Sequence, residues 1–150
     1  MTVSECKNFF RSIRTEQFEI LHLKALIRDT EDGLLPHAIR YDLDKVQVSP
    51  EEKFGSICAQ ISEYQIELGK SIAILYRKRL QAERMIKQLE SESEREILRW
   101  YYLTLENGNL LTWEQVGNRM NYSERQIRRL HGEALVHLVS KDVRQCPQEK

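Results

Sequence analysis

Ser123, Glu124, Arg125, Gln126, Arg128 and Arg129 crowd into seven positions near the C-terminus, and their types suit contact with a polyanion. Arginine can bond bidentately to a guanine edge, and arginine and serine can both hold a phosphate. If the segment is helical, its N-terminus adds a further attraction for phosphate. These residues, with Thr112 and Trp113 one short helix upstream, are the candidate DNA-binding set. From the residues alone, an Arg-rich solvated helix face remains the competing reading.

Other chemistry finds little support. The histidines are His22, His37, His131 and His137, and none forms an H-E-x-x-H pair or sits at zinc spacing from a cysteine. His131 and His137 are six apart and do not share a helix face well. No phosphate-cradling Gly-rich loop and no G-x-S-x-G elbow is present. The carboxylates are scattered over predicted helix surfaces, where solvation or i,i+4 pairing is their usual role. Neither an enzyme nor a bound metal or cofactor is expected. The basic run Arg77-Lys78-Arg79 reads as a solvated face rather than a second DNA contact.

The elements that would position the arginines can be read locally. Thr112-Trp-Glu-Gln115 is a capping box, followed by Val116, Gly117 and Met120 in a helix of about two turns. Asn121-Tyr122 forms a turn, where Asn121 tolerates the left-handed conformation. Ser123-Glu-Arg-Gln126 is a second capping box, and Ile127, Leu130, Ala134, Leu135 and Leu138 form the buried stripe of the last helix. Two helices crossing this closely need a small residue at the crossing, and Gly117 supplies it. Ile127 and Leu130 then face inward, while Glu124, Arg125, Arg128 and Arg129 face outward. In a helix-turn-helix that outward half enters the major groove.

Upstream, Cys6, Phe9, Ile13, Ile20, Leu23 and Ile27 predict a helix over about 4–31, interrupted at Glu16 and stopped by Gly33 and Pro36. Residues 32–48 read as an apolar loop packed on a helix. Ser49-Pro50-Glu51-Glu52 then caps a long helix. Its stripe runs Phe54, Cys58, Ile61, Leu68, Ile72, Leu75, Ala82, Ile86, Leu89 in coiled-coil rhythm, with Gln65 and Arg79 as interruptions. Gly69 marks either a close contact or a break into two helices. An unbroken helix of about 40 residues would be about 60 Å long, and its stripe must pack on the first helix, on a second copy, or on both. Ser91-Glu92-Ser93-Glu94 caps a further helix over about 93–106, carrying Ile97, Leu98, Trp100, Tyr101 and Leu103. Asn107-Gly108-Asn109 stops it. Trp100, Tyr101 and Tyr102 read as core aromatics, and Trp113 either packs on them or lies beside the DNA backbone.

Composition sets the outer bounds. Lys+Arg and Asp+Glu balance at 23 each, so any positive surface must be local rather than global. Three widely spaced cysteines, Cys6, Cys58 and Cys146, offer neither a disulfide framework nor a zinc site and suit a reduced, cytoplasmic setting. No apolar run approaches the length of a membrane span, and the N-terminal residues lack the apolar core of a signal peptide.

Residues 91–138 resemble the C-terminal promoter-recognition region (region 4) of bacterial sigma factors. The resemblance rests on Glu94-Arg-Glu-Ile-Leu-Arg99, on Leu111-Thr-Trp-Glu-Gln-Val-Gly117, and on Ser123-Glu-Arg-Gln-Ile-Arg-Arg-Leu130 with the trailing Ala134, Leu135 and Leu138. It implies that Arg125, Arg128 and Arg129, with Ser123 and Glu124, touch bases and phosphates. The order Glu124-Arg125 departs from a common R-E-R run of that family. More loosely, the whole chain resembles phage-borne regulators of the ArpU and RinA type. Tyr41-Asp42, Val46, Ser49-Pro50 and the Trp113-to-His131 block carry that likeness. It implies activation of late phage genes. Residues 1–90 show no aromatic strand-holding segment of the kind that melts a promoter, which implies an accessory regulator rather than a stand-alone sigma factor.

The expectation is therefore an all-α protein: a helical hairpin or coiled-coil arm over 1–90 that oligomerises, a sigma-region-4-like helix-turn-helix over 91–140, and a flexible tail over 141–150. Its expected partners are double-stranded DNA, RNA polymerase and further copies of itself as a homodimer or higher homo-oligomer, with no membrane. Two rival readings stay open: an oligomeric phage protein that recognises DNA for packaging, and an adaptor that binds a sigma factor or polymerase without touching DNA.

Overall fold

The computed structural model describes residues 1–33 and 50–145. Of the loop read over 32–48, residues 34–48 lie outside those described residues, as do the Ser49 cap and residues 146–150 of the tail read over 141–150, while residue 32 and residues 141–145 are helical. The fold is all-α. Helices α1 (Val3–Asp32), α2 (Pro50–Ile86) and α3 (Glu92–Leu98) are followed by a π-helical turn, Arg99–Leu103. A two-stranded hairpin, β1 (Leu105–Glu106) and β2 (Asn109–Leu110), leads into α4 (Trp113–Met120) and α5 (Glu124–Gln145).

Helix α1 starts with a capping box that the sequence reading passed over. The Thr2 backbone N–H donates to Glu5 Oε2 (2.7 Å), and the Glu5 N–H donates to Thr2 Oγ1 (3.2 Å). Its buried face is Cys6, Phe10, Ile13, Gln17 and Ile20. The expected stripe thus shifts from Phe9 to Phe10 and gains a glutamine. Steps of four and three keep these positions on one side of the helix. Phe9 lies half-buried, its ring edge-on to Phe10 at 5.5 Å.

Helix α2 runs unbroken through Gly69, and nothing lies within 4 Å of where a Cβ would sit there. Neither the break nor the close contact expected at Gly69 is found among the described residues. Leu89 is buried as expected but lies past the helix end, in a turn where its N–H donates to the Ile86 carbonyl (3.0 Å).

The third predicted helix is corrected by the structure. Ser91 caps α3 through the Glu94 N–H (3.4 Å), but the helix ends in the π-helical turn rather than continuing to residue 106. The reason is local: Asn107 and Gly108 hold φ of 50° and 79°. Two left-handed residues in succession are what a tight hairpin turn requires, and they set Leu105 opposite Leu110 and Glu106 opposite Asn109. The Asn-Gly-Asn signal is a hairpin turn and not merely a stop.

The end of the π-helical turn would leave carbonyls without partners. Three side chains take them up. Arg14 donates to the Tyr101 carbonyl, Gln17 to that of Tyr102 (3.2 Å) and Arg79 to that of Leu103. Two of the three are cations, which the negative end of a helix favours. Arg79 interrupts the apolar stripe of α2 because its place is at this helix end. Lys78 likewise pairs with Glu16 (2.9 Å), the residue that interrupts the stripe of α1.

The chain divides into two compact units, Glu19–Ala73 and the combination of Met1–Phe18 with Ile74–Lys150. In the latter, Cys6, Phe10 and Ile13 share one core cluster with Ala82, Ile86, Leu98, Tyr102, Ala134, Leu135 and Leu138. A second cluster, Ile97, Leu111, Val116 and Ile127, lies under the helix-turn-helix. In Glu19–Ala73, Ile20 is the one buried apolar side chain among the described residues, while Phe54, Ile66 and Ile72 are exposed.

Candidate nucleic-acid interface

The bend between α4 and α5 is built by three residues. Thr112 caps α4 with both arms of its capping box in place: the Gln115 N–H donates to Thr112 Oγ1 (3.3 Å) and the Thr112 N–H to Gln115 Oε1 (2.8 Å). At the other end Asn121 takes the left-handed conformation (φ 57°, ψ 38°), and the N–H groups of Asn121 and Tyr122 both reach the Gly117 carbonyl. Gly117 itself is buried, and a Cβ there would stand 2.7 Å from the Tyr122 carbonyl oxygen. The small residue is required, as expected, though the contact it makes is with the backbone of the turn. Its next neighbours are on α5: the Glu124 nitrogen and Ile127 Cγ1, each 3.7 Å from that Cβ position.

Helix α5 begins with the second capping box. The Gln126 N–H donates to Ser123 Oγ (3.3 Å), while the Ser123 N–H and hydroxyl both donate to Gln126 Oε1 (2.9 Å each). Ser123 and Gln126 therefore hold each other at the helix start. Ile127, Ala134, Leu135 and Leu138 are buried and Leu130 is half-buried, so the stripe read from the sequence is the one that packs.

The opposite face carries the cations. Arg125 is exposed and makes no side-chain bond among the described residues. Arg128 donates through Nε (2.8 Å) and Nη2 to Glu124 Oε1. Arg129 stands 3.8 Å from Glu133 with its side chain 70% exposed. Such exposed i,i+4 pairs contribute only about 0.3–0.5 kcal/mol each, so a phosphate or base edge can compete for either guanidinium. Arg125, Gln126 and Arg129 line one shallow concavity on this face.

Trp113 connects the two helices. Its ring stacks on Tyr101 with centroids 3.6 Å apart and planes 13° from parallel. The Arg128 guanidinium lies 5.6 Å from the Trp113 ring centroid, and that of Arg14 lies 4.1 Å from the Tyr101 centroid. Trp113 packs on the core aromatics, one of the two placements expected for it. Thr112, beside it, is exposed.

Behind this face lies a buried polar pair. The Tyr102 hydroxyl and His131 Nε2 share a hydrogen bond of 2.9 Å. Burial, reinforced by the positive charges of Lys7 and Arg11, pushes the imidazole down to about 4. Burial pushes the Tyr102 hydroxyl well above the ordinary tyrosine range. Both groups are therefore neutral near pH 7, and His131 works as a core residue. His137 instead bonds Glu94 through Nδ1 (2.8 Å). Among the described residues, no group of three or more His, Cys, Asp or Glu is placed to hold a metal ion.

Residues 85–138 match the family model "Sigma-70, region 4". Over that stretch the helix-turn-helix is similar to sigma-70 region 4, a region that binds DNA in sigma factors. The match covers α3, the hairpin, α4 and the first fifteen residues of α5 (124 to 138). No curated protein and no solved structure matches the chain. The region-4-like module holds all eight residues singled out from the sequence. Arg14, which stacks on its aromatics from α1, lies outside the match and was not among them. The missed signal was the 7, 11, 14 spacing of Lys7, Arg11 and Arg14, which puts three cations on one side of α1 next to its buried stripe. No described helix is long and apolar enough to cross a membrane.

Proposed function

We propose that the chain is a sequence-specific transcription regulator that docks the first turns of α5 in the major groove of double-stranded DNA. The observation that carries this reading is the exposed guanidinium of Arg125, without a partner among the described residues and presented just after a bend fixed by Gly117 and Asn121. In the proposed complex, Arg125 and Arg128 read base edges, while Arg129, Ser123 and the exposed Thr112 hold phosphates. Gln126 stays with Ser123 to shape the helix start. Glu124 screens Arg128, and Trp113 supports it. No catalytic role is assigned.

The finer identity is a cytoplasmic, phage-borne activator of late genes of the ArpU and RinA type, with RNA polymerase as a second partner. The Glu19–Ala73 unit supports self-association through the arm. Among its described residues it buries one apolar side chain while leaving Phe54, Ile66 and Ile72 exposed, and helices with bare apolar faces pack against something in water. A homodimer through these residues is the expected state.

The test is selection of duplex DNA from a random pool followed by gel shift. Arg125→Ala and Arg128→Ala are each expected to cost about 1–3 kcal/mol on the selected duplex. Unchanged binding by both variants overturns the proposed face. Binding to polymerase with no salt-dependent binding to any DNA would make the chain an adaptor instead. A ring larger than a dimer in light scattering would turn the reading towards DNA packaging.

A further inference from the structure

A cleft of about 490 Å³ opens where α1 meets the region-4-like module. Lys7, Arg11 and Arg14 line it from α1, Trp113 from α4, and Arg128 and His131 from α5. Among the described residues, no acid lines it. The side chains of Lys7 and Arg11 have no ion pair or hydrogen bond among the described residues. Arg14 is committed to the uncharged carbonyls of Tyr101 and Leu111, so its charge remains unneutralised. Arg128 shares its charge with Glu124 from the outer side. Four cations thus converge on one concave space with aromatic walls, and none of its described lining groups is negative. Like charges gathered this way repel at short range. The same arrangement lowers the cost of placing an anion there.

We propose that this cleft is a phosphate site, with Lys7 and Arg11 as its principal ligands. It rests on the DNA-binding reading for its preferred source, a backbone phosphate of the duplex docked on α5, because Arg128 belongs to both the cleft and the recognition face. Arginine's planar fork and the ammonium of Lys7 suit phosphoryl oxygens. Such a contact lies outside the stretch that matches region 4. It makes the start of α1 part of the binding surface rather than part of a remote arm.

The test compares wild type with Lys7→Gln, Arg11→Gln and the double variant, and with Arg77→Gln as an exposed control carrying the same charge loss. On the selected duplex, each lost phosphate contact is expected to flatten the slope of log K against log salt by about 0.9. The double variant should lose tenfold or more in affinity near 0.1 M salt, equally on cognate and unrelated duplexes, because phosphate contacts carry no sequence information. Arg77→Gln should change the slope no more than wild-type scatter. In a second arm without DNA, inorganic pyrophosphate is titrated while the His131 ring signal is followed by NMR. A response lost in the double variant shows that the cleft takes a free phosphate. A changed DNA slope with no pyrophosphate response assigns the site to the duplex backbone. Wild-type slope in the double variant, together with no variant-sensitive pyrophosphate response, overturns the phosphate site. If wild type binds no DNA, the regulatory reading fails and the pyrophosphate arm alone decides the cleft.

Discussion

Arg14 and Tyr101 meet twice. The guanidinium donates to the Tyr101 carbonyl and also lies 4.1 Å from the centroid of its ring. One side chain of α1 thereby closes the end of the π-helical turn and backs the Tyr101–Trp113 stack against which Arg128 rests. A second hydrogen bond from the same Nη1 reaches the Leu111 carbonyl (3.1 Å), just before the cap of α4. Removing it should therefore affect both stability and the recognition helix. Arg14→Ala is expected to cost about 1.5–3 kcal/mol, the range for hydrogen bonds from a charged donor. Arg14→Lys should recover less than half of this, because an ammonium lacks the planar fork and stacks poorly. Urea midpoints of the three proteins measure the series. Equal midpoints for Lys and Arg would mean that charge alone matters at this position.

Gly117→Ala tests the bend directly. The added methyl would stand 2.7 Å from the Tyr122 carbonyl oxygen, which is backbone of the turn and cannot swing aside as a flexible side chain can. Either the turn shifts or strain persists, at an expected cost of about 1–3 kcal/mol. Because the turn sets the angle of α5, DNA affinity should fall by more than the loss of folded protein explains. Gel shifts on samples shown by circular dichroism to be folded separate the two. A variant with wild-type affinity and midpoint would remove Gly117 from the argument.

What could be read from the sequence was local. The caps at Thr112 and Ser123, the left-handed Asn121 and the stripe from Ile127 to Leu138 each depend on residues within a few positions of one another, and each stands where expected. What was missed is long-range. The carbonyls of Tyr101 and Tyr102 find Arg14 and Gln17 across 87 and 85 residues, and no spacing rule announces such a pairing. The hairpin was missed for another reason: strands of two residues show no alternation to detect. At the proposed interface the same division holds. The face of α5 was legible from its own arginines, whereas Lys7 and Arg11 approach it only through the packing of α1.

The state of His131 predicts a pH dependence of stability. Its folded value, about 4, lies below the ordinary 6.5 because burial and then Lys7 and Arg11 disfavour the charged ring. The unfolded chain therefore binds the extra proton first as pH falls. This contribution is fully present above pH 6.5 and is lost as pH falls from 6.5 towards about 4, with a slope of at most about 1.4 kcal/mol per pH unit. His131→Phe should flatten stability against pH in that window relative to wild type, while forfeiting the bond to Tyr102 at all pH values. Parallel curves for the two proteins in chemical denaturation between pH 4 and 7 would contradict a neutral His131.

Glu124 is the one acid in the first turn of α5, and its position has two opposed consequences. As a carboxylate near a helix start it is favoured by the helix dipole, and it holds Arg128 through two hydrogen bonds to Oε1. Against a DNA backbone the same charge repels, so it penalises every duplex that does not repay it with a base contact made by the freed Arg128. Glu124→Gln removes the repulsion and the restraint together. The expected result is several-fold tighter binding to unrelated duplexes, a smaller change on the selected duplex, and so a narrower ratio between them. Stability should shift by less than about 0.5 kcal/mol, since the pair is exposed. Competition gel shifts with cognate and unrelated DNA at one salt concentration measure that ratio. If unrelated duplexes bind the variant no better than wild type, Glu124 does not screen the recognition face. A loss confined to the selected duplex would instead make Glu124 a base reader, with a cytosine amino group as its partner.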